Sequence, residues 1–217
     1  MIHQLVKDAD VFIEQYRPGV MAKFKLDYDT LKAINPRLIY VSVTGYGSHS
    51  SLANDAGHDL NYIAHCGLPY ISGSTPTLPG FQAADIAGGT YMAMNAITTA
   101  LYEREKTNGK GSYVNIAMTD CVLPLMALPL AMQQFKDENV NASNFELAGS
   151  IANYNIYECA DGKFVALGAL EPKFWNAFCE AVDKQEWKEK ILADVHAMQQ
   201  LKQEVTALFK LKSQQEW

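Results

Sequence analysis

His58, Asp85 and Glu171 are three residues of this 217-residue chain whose side chains can move protons. A histidine and a carboxylate on opposite sides of one carbon can remove a proton from that carbon and return it, as general base and general acid. A further carboxylate can orient the histidine and stabilise its protonated form. The three residue types together therefore predict a proton-transfer site with two bases.

Each of the three residues also has a structural interpretation, because each stands where a helix could begin. A histidine before Asp59 can serve as a cap or a hydrogen-bonding residue. Asp85 precedes Ile-Ala-Gly-Gly and suits an N-cap, and Glu171 precedes a proline that suits the first turn of a helix. Residue type alone leaves both interpretations open.

The segments that would position these residues begin in a β-α-β order. Two runs rich in β-branched and aromatic residues predict strands, and a segment that stops before Asn-Pro predicts the helix between them. This alternation is typical of an open parallel sheet with crossover helices, so we expect an α/β fold. The predicted strands are Asp10–Glu14, Leu38–Val43 and Tyr113–Ala117, and the intervening helix is Asp29–Ile34.

Longer helices are predicted after the second strand. One covers Asp59–Cys66 and ends at Gly67, and the strongest covers Asp85–Glu105. A third is expected to start at a cap formed by Thr119 or Asp120 and to run to about Phe135 despite two prolines.

The remainder of the chain predicts a smaller α+β domain. The turn Ala160-Asp161-Gly162-Lys163 lies between two strand-like runs, which is a strong hairpin signal. A helix over Glu171–Val182 and a helical tail follow. We expect a large domain over 1–135 carrying His58 and Asp85, a linker over 136–150, and a small domain over 151–217 carrying Glu171.

Composition excludes several classes of function. The net charge of −6 argues against a nucleic-acid partner, which normally requires a clustered basic surface. The cysteines are widely spaced, with no metal-ligand pattern, and are expected to be reduced thiols of a cytoplasmic protein. No signal peptide or membrane span is recognisable, so no membrane partner is expected. The cysteines are Cys66, Cys121, Cys159 and Cys179.

Several motifs, in order along the chain, resemble the class III CoA-transferase family, also called the CaiB/BaiF group. The resemblance covers about residues 5–182 and is closest to the α-methylacyl-CoA racemase branch. Racemases of the family carry Gly-His-Asp where its transferases usually have Gly-Phe-Asp or Gly-Tyr-Asp, and this chain has His58. The matching motifs are Ala9–Val20, Asn35–Tyr40, Thr44–Gly47, Gly57–Tyr62 and Ala160–Lys163.

The resemblance implies roles for the proton-moving residues. His58 and Asp85 would be the two bases that act on the α-carbon of a 2-methylacyl-CoA thioester, and Glu171 would hold the histidine. The backbone N–H at Asp59, at the start of a helix, would stabilise the enolate oxygen. No cofactor is implied, since coenzyme A is part of the substrate.

The resemblance also implies contacts with coenzyme A. Arg17 and Lys23 fall where family members contact it, although each could equally be an ion-paired or solvated surface residue. Gly88 and Gly89 allow a close backbone approach, either by the thioester or by a packed helix.

Two alternatives to a racemase stay open on the sequence. In a CoA-transferase, Asp85 would be the nucleophile and would form an acyl anhydride and then a CoA thioester. The chain could also be an inactive fragment, because family members are longer and this chain looks truncated at both ends. The family further implies a homodimer with interlocked subunits. The acyl group of the substrate is not specified by any of these residues.

Overall fold

The computed structural model describes residues 1–73, 75–136, 139–191 and 195–217. The chain divides into two compact units. The first comprises Met1–Pro69 and Leu78–Ala131, and the second comprises Tyr70–Thr77 and Met132–Trp217. Each unit has its own buried core.

The first unit contains a parallel sheet of three strands in the order β1-β2-β3. Ile13 pairs with Val41, and Ser42 pairs with Asn115, so all three strands end at the same edge. Strand β2 lies in the centre and is buried on both faces, in keeping with its four hydrophobic residues out of six. The predicted α/β class with a partial open parallel sheet is confirmed. The strands are β1 (Val11–Glu14), β2 (Ile39–Thr44) and β3 (Tyr113–Ala117).

The predicted helices appear in the described residues in the predicted order, with differences at several ends, and short helices that the sequence did not predict accompany them. The α-helices are α1 (Ile2–Leu5), α2 (Val20–Lys23), α3 (Tyr28–Ile34), α4 (Asp59–Cys66), α5 (Leu68–Ile71), α6 (Met92–Lys106), α7 (Met118–Val122), α8 (Ala127–Lys136), α9 (Pro172–Ala181), α10 (Trp187–Lys190) and α11 (Val195–Phe209). A π-helical segment covers Ala84–Tyr91, and 3₁₀ turns cover Val6–Asp8, Leu123–Met126 and Glu146–Ala148. Among these helices, none combines the length and the apolar character that a membrane crossing requires.

Helix α6 packs on one face of the sheet and is tied to it by a buried arginine. Ala93 and Ala100 of α6 contact the cluster formed by Ile39, Val41 and Ile116 of the sheet. At the far end of the helix, the Arg104 guanidinium donates to the carbonyl of Arg37 (3.1 Å) and to the carboxylate of Asp10 (2.7 Å). Since Asp10 precedes β1 and Arg37 precedes β2, one side chain holds the amino ends of both strands.

The prediction for the helix after β3 is wrong in two respects. Helix α7 begins at Met118 without a side-chain cap, and the Thr119 hydroxyl instead donates to the carbonyl of Gly45 (2.9 Å). The helix is also not continuous to Phe135, because a 3₁₀ turn that contains Pro124 separates α7 from α8. Proline lacks the backbone N–H that an α-helix requires and clashes with the preceding turn, which accounts for the interruption.

The second unit is built on an antiparallel hairpin, as the Asp-Gly turn predicts. Strands β4 (Tyr154–Glu158) and β5 (Phe164–Gly168) pair across this turn, and Gly162 adopts the left-handed φ of +74°. The tail helix α11 contributes Leu201, Val205 and Phe209 to the core of the unit, where Trp175 and Trp187 are also buried.

Candidate functional site

A cleft of about 870 Å³ opens in the first unit, at the carboxyl ends of strands β1 and β2. Open α/β sheets commonly bind ligands at this edge, because the loops that follow the strands converge there. Its lining includes Glu14, Arg17, Thr44, Tyr46, Gly57, His58, Tyr62, Asp85, Gly89, Met94 and Met118. The cleft therefore contains two of the three proton-moving residues.

His58 lies at the N-cap position of α4, and its backbone is held by Asn61. The backbone N–H of His58 donates to the side-chain oxygen of Asn61 (3.0 Å), and the His58 carbonyl accepts the N–H of Asn61 (2.8 Å). The histidine side chain itself is exposed and lines the cleft. The helix start thus fixes the backbone of His58 and leaves its imidazole accessible to a ligand.

Tyr62 supports the loop that precedes His58. Its hydroxyl donates to the carbonyl of Gly57 (2.7 Å), and its ring packs edge-on against Tyr46. A Cβ atom at Gly45 or Gly57 would overlap the Tyr62 ring, so both positions require glycine as long as the ring stays in place. Burial raises the pKa of the Tyr62 phenol above its ordinary value. Sequence reasoning assigned no role to Tyr62, although it closes the Gly57–Tyr62 motif.

Asp85 is the second residue of the π-helical segment, so of its two interpretations the structural one, a helix N-cap, does not apply. The segment begins at Ala84, and its first amides are capped by Asp59. One carboxylate oxygen of Asp59 accepts the backbone N–H groups of Ala84 (2.7 Å) and Asp85 (3.0 Å). The carboxylate of Asp85 is therefore not used as a cap, and it lies exposed in the cleft.

The segment around Asp85 also has wider turns than the predicted α-helix. Gly88 and Gly89 stand in its middle, and glycine lowers the cost of departing from α-helical geometry. Single π-helical turns occur frequently at functional sites. The change in helix type thus coincides with the position of a candidate catalytic residue.

Charges in the cleft act on Asp85 from two sides. Partial desolvation in the cleft raises the pKa of Asp85 above the ordinary carboxyl value, the Asp59 carboxylate raises this pKa further, and the His58 imidazole lowers it. A perturbed pKa of a carboxyl in a cleft is a feature of functional sites. The His58 imidazole is therefore close enough to act on the Asp85 carboxyl.

Replacing Asp85 by asparagine is expected to stabilise the fold at neutral pH. Since the pKa of Asp85 is higher in the folded chain, the unfolded chain loses this proton first as the pH rises, and the free energy of unfolding falls above the ordinary pKa of 3.8. Asparagine cannot ionise and avoids this loss. Urea denaturation at neutral pH and near the ordinary pKa measures the difference, which should shrink at the lower pH.

The control for this prediction is Asp120→Asn, on the exposed surface of α7, which should leave the stability almost unchanged. A less stable Asp85→Asn chain at neutral pH would contradict the prediction.

The two glycines that were expected near the ligand have different surroundings in the structure. A Cβ atom at Gly88 would lie 2.6 Å from the Met118 carbonyl and 3.1 Å from the Val122 nitrogen, so Gly88 allows the π-helical segment to pack closely on α7. Gly89 is also buried, but it lines the cleft. Of the two interpretations of these glycines, helix packing applies directly to Gly88.

The two basic residues expected to contact coenzyme A also differ in position. Arg17 is exposed and lines the cleft, whereas Lys23 is exposed at the end of α2 and is not part of the lining. Glu14, which sequence reasoning did not single out, is buried at the end of β1, and its carboxylate accepts the backbone N–H of Tyr16 (2.8 Å). Glu14 thereby fixes the turn that presents Arg17.

Glu171 lies in the second compact unit, whereas His58 and Asp85 lie in the first. It occupies the N-cap position of α9, and its carbonyl accepts the N–H groups of Phe174 (2.9 Å) and Trp175 (3.2 Å). Its carboxylate makes no capping hydrogen bond and is exposed. The role of Glu171 in holding the histidine stays a prediction from the resemblance.

Comparisons with known proteins agree with the fold and with the motifs. The model of CoA-transferase family III matches residues 1–217. Alpha-methylacyl-CoA racemase of Homo sapiens is 32% identical over 220 residues, which cover 100% of this chain and 57% of that protein. Succinyl-CoA:glutarate CoA-transferase of Homo sapiens is 31% identical over 86% of this chain and 42% of that protein.

Solved structures of other proteins also agree with this fold. The crystal structure of a CAIB/BAIF family protein from Brucella suis superposes with a TM-score of 0.80 and 26% identity, over 99% of this chain and 58% of that one. The chain spans about half the length of the curated relatives that it matches. With the parallel sheet, the Gly-His-Asp motif and the match along the entire chain, this protein belongs to CoA-transferase family III.

Proposed function

We propose that this chain carries the proton-transfer site of an acyl-CoA racemase, which inverts the α-carbon of 2-methylacyl-CoA thioesters. The observation that carries the proposal is the presence of His58 and Asp85 in one cleft, where the imidazole acts on the pKa of the carboxyl. The resemblance to a racemase over the entire chain supports the same reaction.

In this proposal, the two bases act on opposite faces of the α-carbon. One of them removes the α-proton of the thioester, and the other delivers a proton to the opposite face, so the direction of turnover decides which residue is the base. The α-proton of a thioester is far less acidic than either conjugate acid. The enolate oxygen must therefore be stabilised as negative charge develops.

Asp59 offers a suitable donor for that oxygen. It is the first residue of α4, and so its backbone N–H has no acceptor within the helix. The positive end of the helix dipole also favours negative charge at this point. We assign the backbone N–H of Asp59 to the enolate oxygen, with no cofactor beyond the coenzyme A of the substrate.

Coenzyme A would bind at the same cleft. The Arg17 guanidinium can pair with a phosphate, and Gly89 lets the thioester approach the backbone. Lys23 and Gly88 lie outside the lining of the cleft, so in this arrangement they contribute less directly to the binding of coenzyme A. Met94 and Met118 supply a deformable apolar surface for the acyl chain.

A CoA-transferase is the second candidate, because transferases are also among the relatives of this chain. The Asp85 carboxylate would attack the thioester carbonyl, form a mixed anhydride and release the thiolate of coenzyme A. That thiolate would then attack the Asp85 carbonyl, release the acyl group as a free acid and leave a CoA thioester on the enzyme. His58 favours the racemase, since the transferase route requires no base at this position.

The deciding experiment uses the 217-residue chain with 2-methylacyl-CoA in D₂O, with and without a free carboxylic acid as acceptor. A racemase incorporates deuterium at the α-carbon and inverts it, without transfer of coenzyme A to the acid. A transferase produces the new thioester, and hydroxylamine traps Asp85 in its activated form. The absence of both reactions would contradict both proposals.

A further inference from the structure

The side chain of Asp59 connects the two segments that carry the candidate bases. Its carboxylate oxygen accepts the N–H groups of Ala84 and Asp85, at 2.7 and 3.0 Å, while Asp59 itself directly follows His58 at the start of α4. The residues it joins are 25 and 26 positions further along the chain. One side chain therefore links the backbone beside His58 to the backbone of Asp85.

The hydrogen bonds that Asp59 accepts are suited to holding the π-helical segment in a fixed position relative to α4. The first N–H groups of a helix lack partners within the helix, and a carboxylate is a strong acceptor for them. Hydrogen bonds to an ionised acceptor are shorter and stronger than neutral ones. The oxygen receives two such donors from adjacent residues, which restricts both the distance and the orientation of the π-helical segment relative to α4.

We propose that the Asp59 carboxylate is a positioning group that fixes the separation of His58 and Asp85. This inference rests on the proposed two-base reaction and adds a residue whose side chain acts through the backbone rather than on the substrate. Two bases that share one carbon must both lie within hydrogen-bonding reach of it. A displacement of about 1 Å can reduce such a rate by about 100-fold.

The geometric effect of Asp59 can be separated from the effect of its charge. Asp59→Asn keeps a side-chain oxygen that can accept the two amides and removes the negative charge. Asp59→Ala removes both the acceptor and the charge. The backbone N–H of residue 59, which is assigned to the enolate oxygen, is present in both variants.

A matched control exists in the same unit. Asp27 caps α3, where its carboxylate accepts the backbone N–H (3.1 Å) and the hydroxyl (2.8 Å) of Thr30, and it is not part of the cleft lining. Asp27→Ala therefore removes a comparable helix cap away from the candidate bases.

Deuterium exchange at the α-carbon of 2-methylacyl-CoA is expected to distinguish the variants. Asp59→Ala should lower kcat by about 100-fold with little change in KM, because the bases are displaced while the CoA contacts remain. Asp59→Asn should recover most of that loss, and Asp27→Ala should keep the kcat of the unmodified chain. A wild-type kcat in Asp59→Ala, or a rise in KM alone, would overturn the positioning role.

A second measurement keeps this inference distinct from the proposed function. Amide hydrogen exchange of Ala84 and Asp85, followed in the chain without substrate, should accelerate in Asp59→Ala and stay protected in Asp59→Asn. Unchanged protection in Asp59→Ala would refute the link between the two segments, whatever the activity. The unmodified chain could also fail to exchange the α-proton while Asp59→Ala still accelerates the amide exchange. This result would reject the racemase and retain Asp59 as the connection between the two segments.

Discussion

Replacing His58 by alanine should reduce deuterium exchange at the α-carbon of 2-methylacyl-CoA by about 1,000-fold, within the range that a general base contributes. The imidazole is exposed in the cleft, and the backbone N–H of residue 58 donates to the Asn61 side chain. The substitution removes the base and keeps this backbone hydrogen bond at the start of α4. Mass spectrometry of the thioester after incubation in D₂O measures the loss.

The control for this prediction is His49→Ala, because His49 is exposed and does not line the cleft. This variant should exchange at the rate of the unmodified chain. Added imidazole should restore part of the activity of His58→Ala, since a free base can enter the space that the side chain vacates. Full exchange by His58→Ala without added base would remove His58 from the mechanism.

Replacing Trp175 by alanine is the substitution with the largest expected effect on stability, a loss of about 4 kcal/mol in the second unit. Trp175 has no exposed surface, and its indole N–H donates to the carbonyl of Trp187 (3.1 Å). Its ring also stacks against Phe178 and Trp187. The variant thus loses a large buried ring and leaves a carbonyl without its donor.

The neighbouring residue Phe174 provides the matched control, because it lies on the same helix and is 48% exposed. Phe174→Ala should change the free energy of unfolding by less than about 1 kcal/mol. Urea denaturation, followed by circular dichroism and by amide exchange of the β4–β5 hairpin, compares the two variants. Equal losses in both variants would contradict the assignment of Trp175 to the core.

Local sequence was sufficient to predict the elements whose formation depends on residues close together in the chain. The helix over Asp59–Cys66 is observed with the predicted ends, because Gly67 adopts the left-handed φ of +82° that a glycine C-cap favours. Strand β2 was recognisable from its β-branched residues, and the hairpin from its Asp-Gly turn. Each of these signals lies within a few residues of the element that it predicts.

The helix caps show where local sequence was insufficient. Thr119 and Asp85 both have the residue type of an N-cap, yet neither caps a helix in the structure. The Thr119 hydroxyl donates to the carbonyl of Gly45, and the Asp59 carboxylate caps the π-helical segment. Both partners are distant in sequence, so no window around either residue could reveal them.

The sequence by itself determined the family and the α/β class and supplied the candidates for proton transfer, because these depend on residue types in a fixed order. Only the tertiary structure decided that His58 and Asp85 line one cleft, that Asp59 joins the segments carrying them, and that Gly88 packs against α7 while Gly89 lines the cleft. The physical reason is that a proton-transfer site requires distances of a few ångströms between groups far apart along the chain. The packing of α4, the π-helical segment and α7 sets those distances.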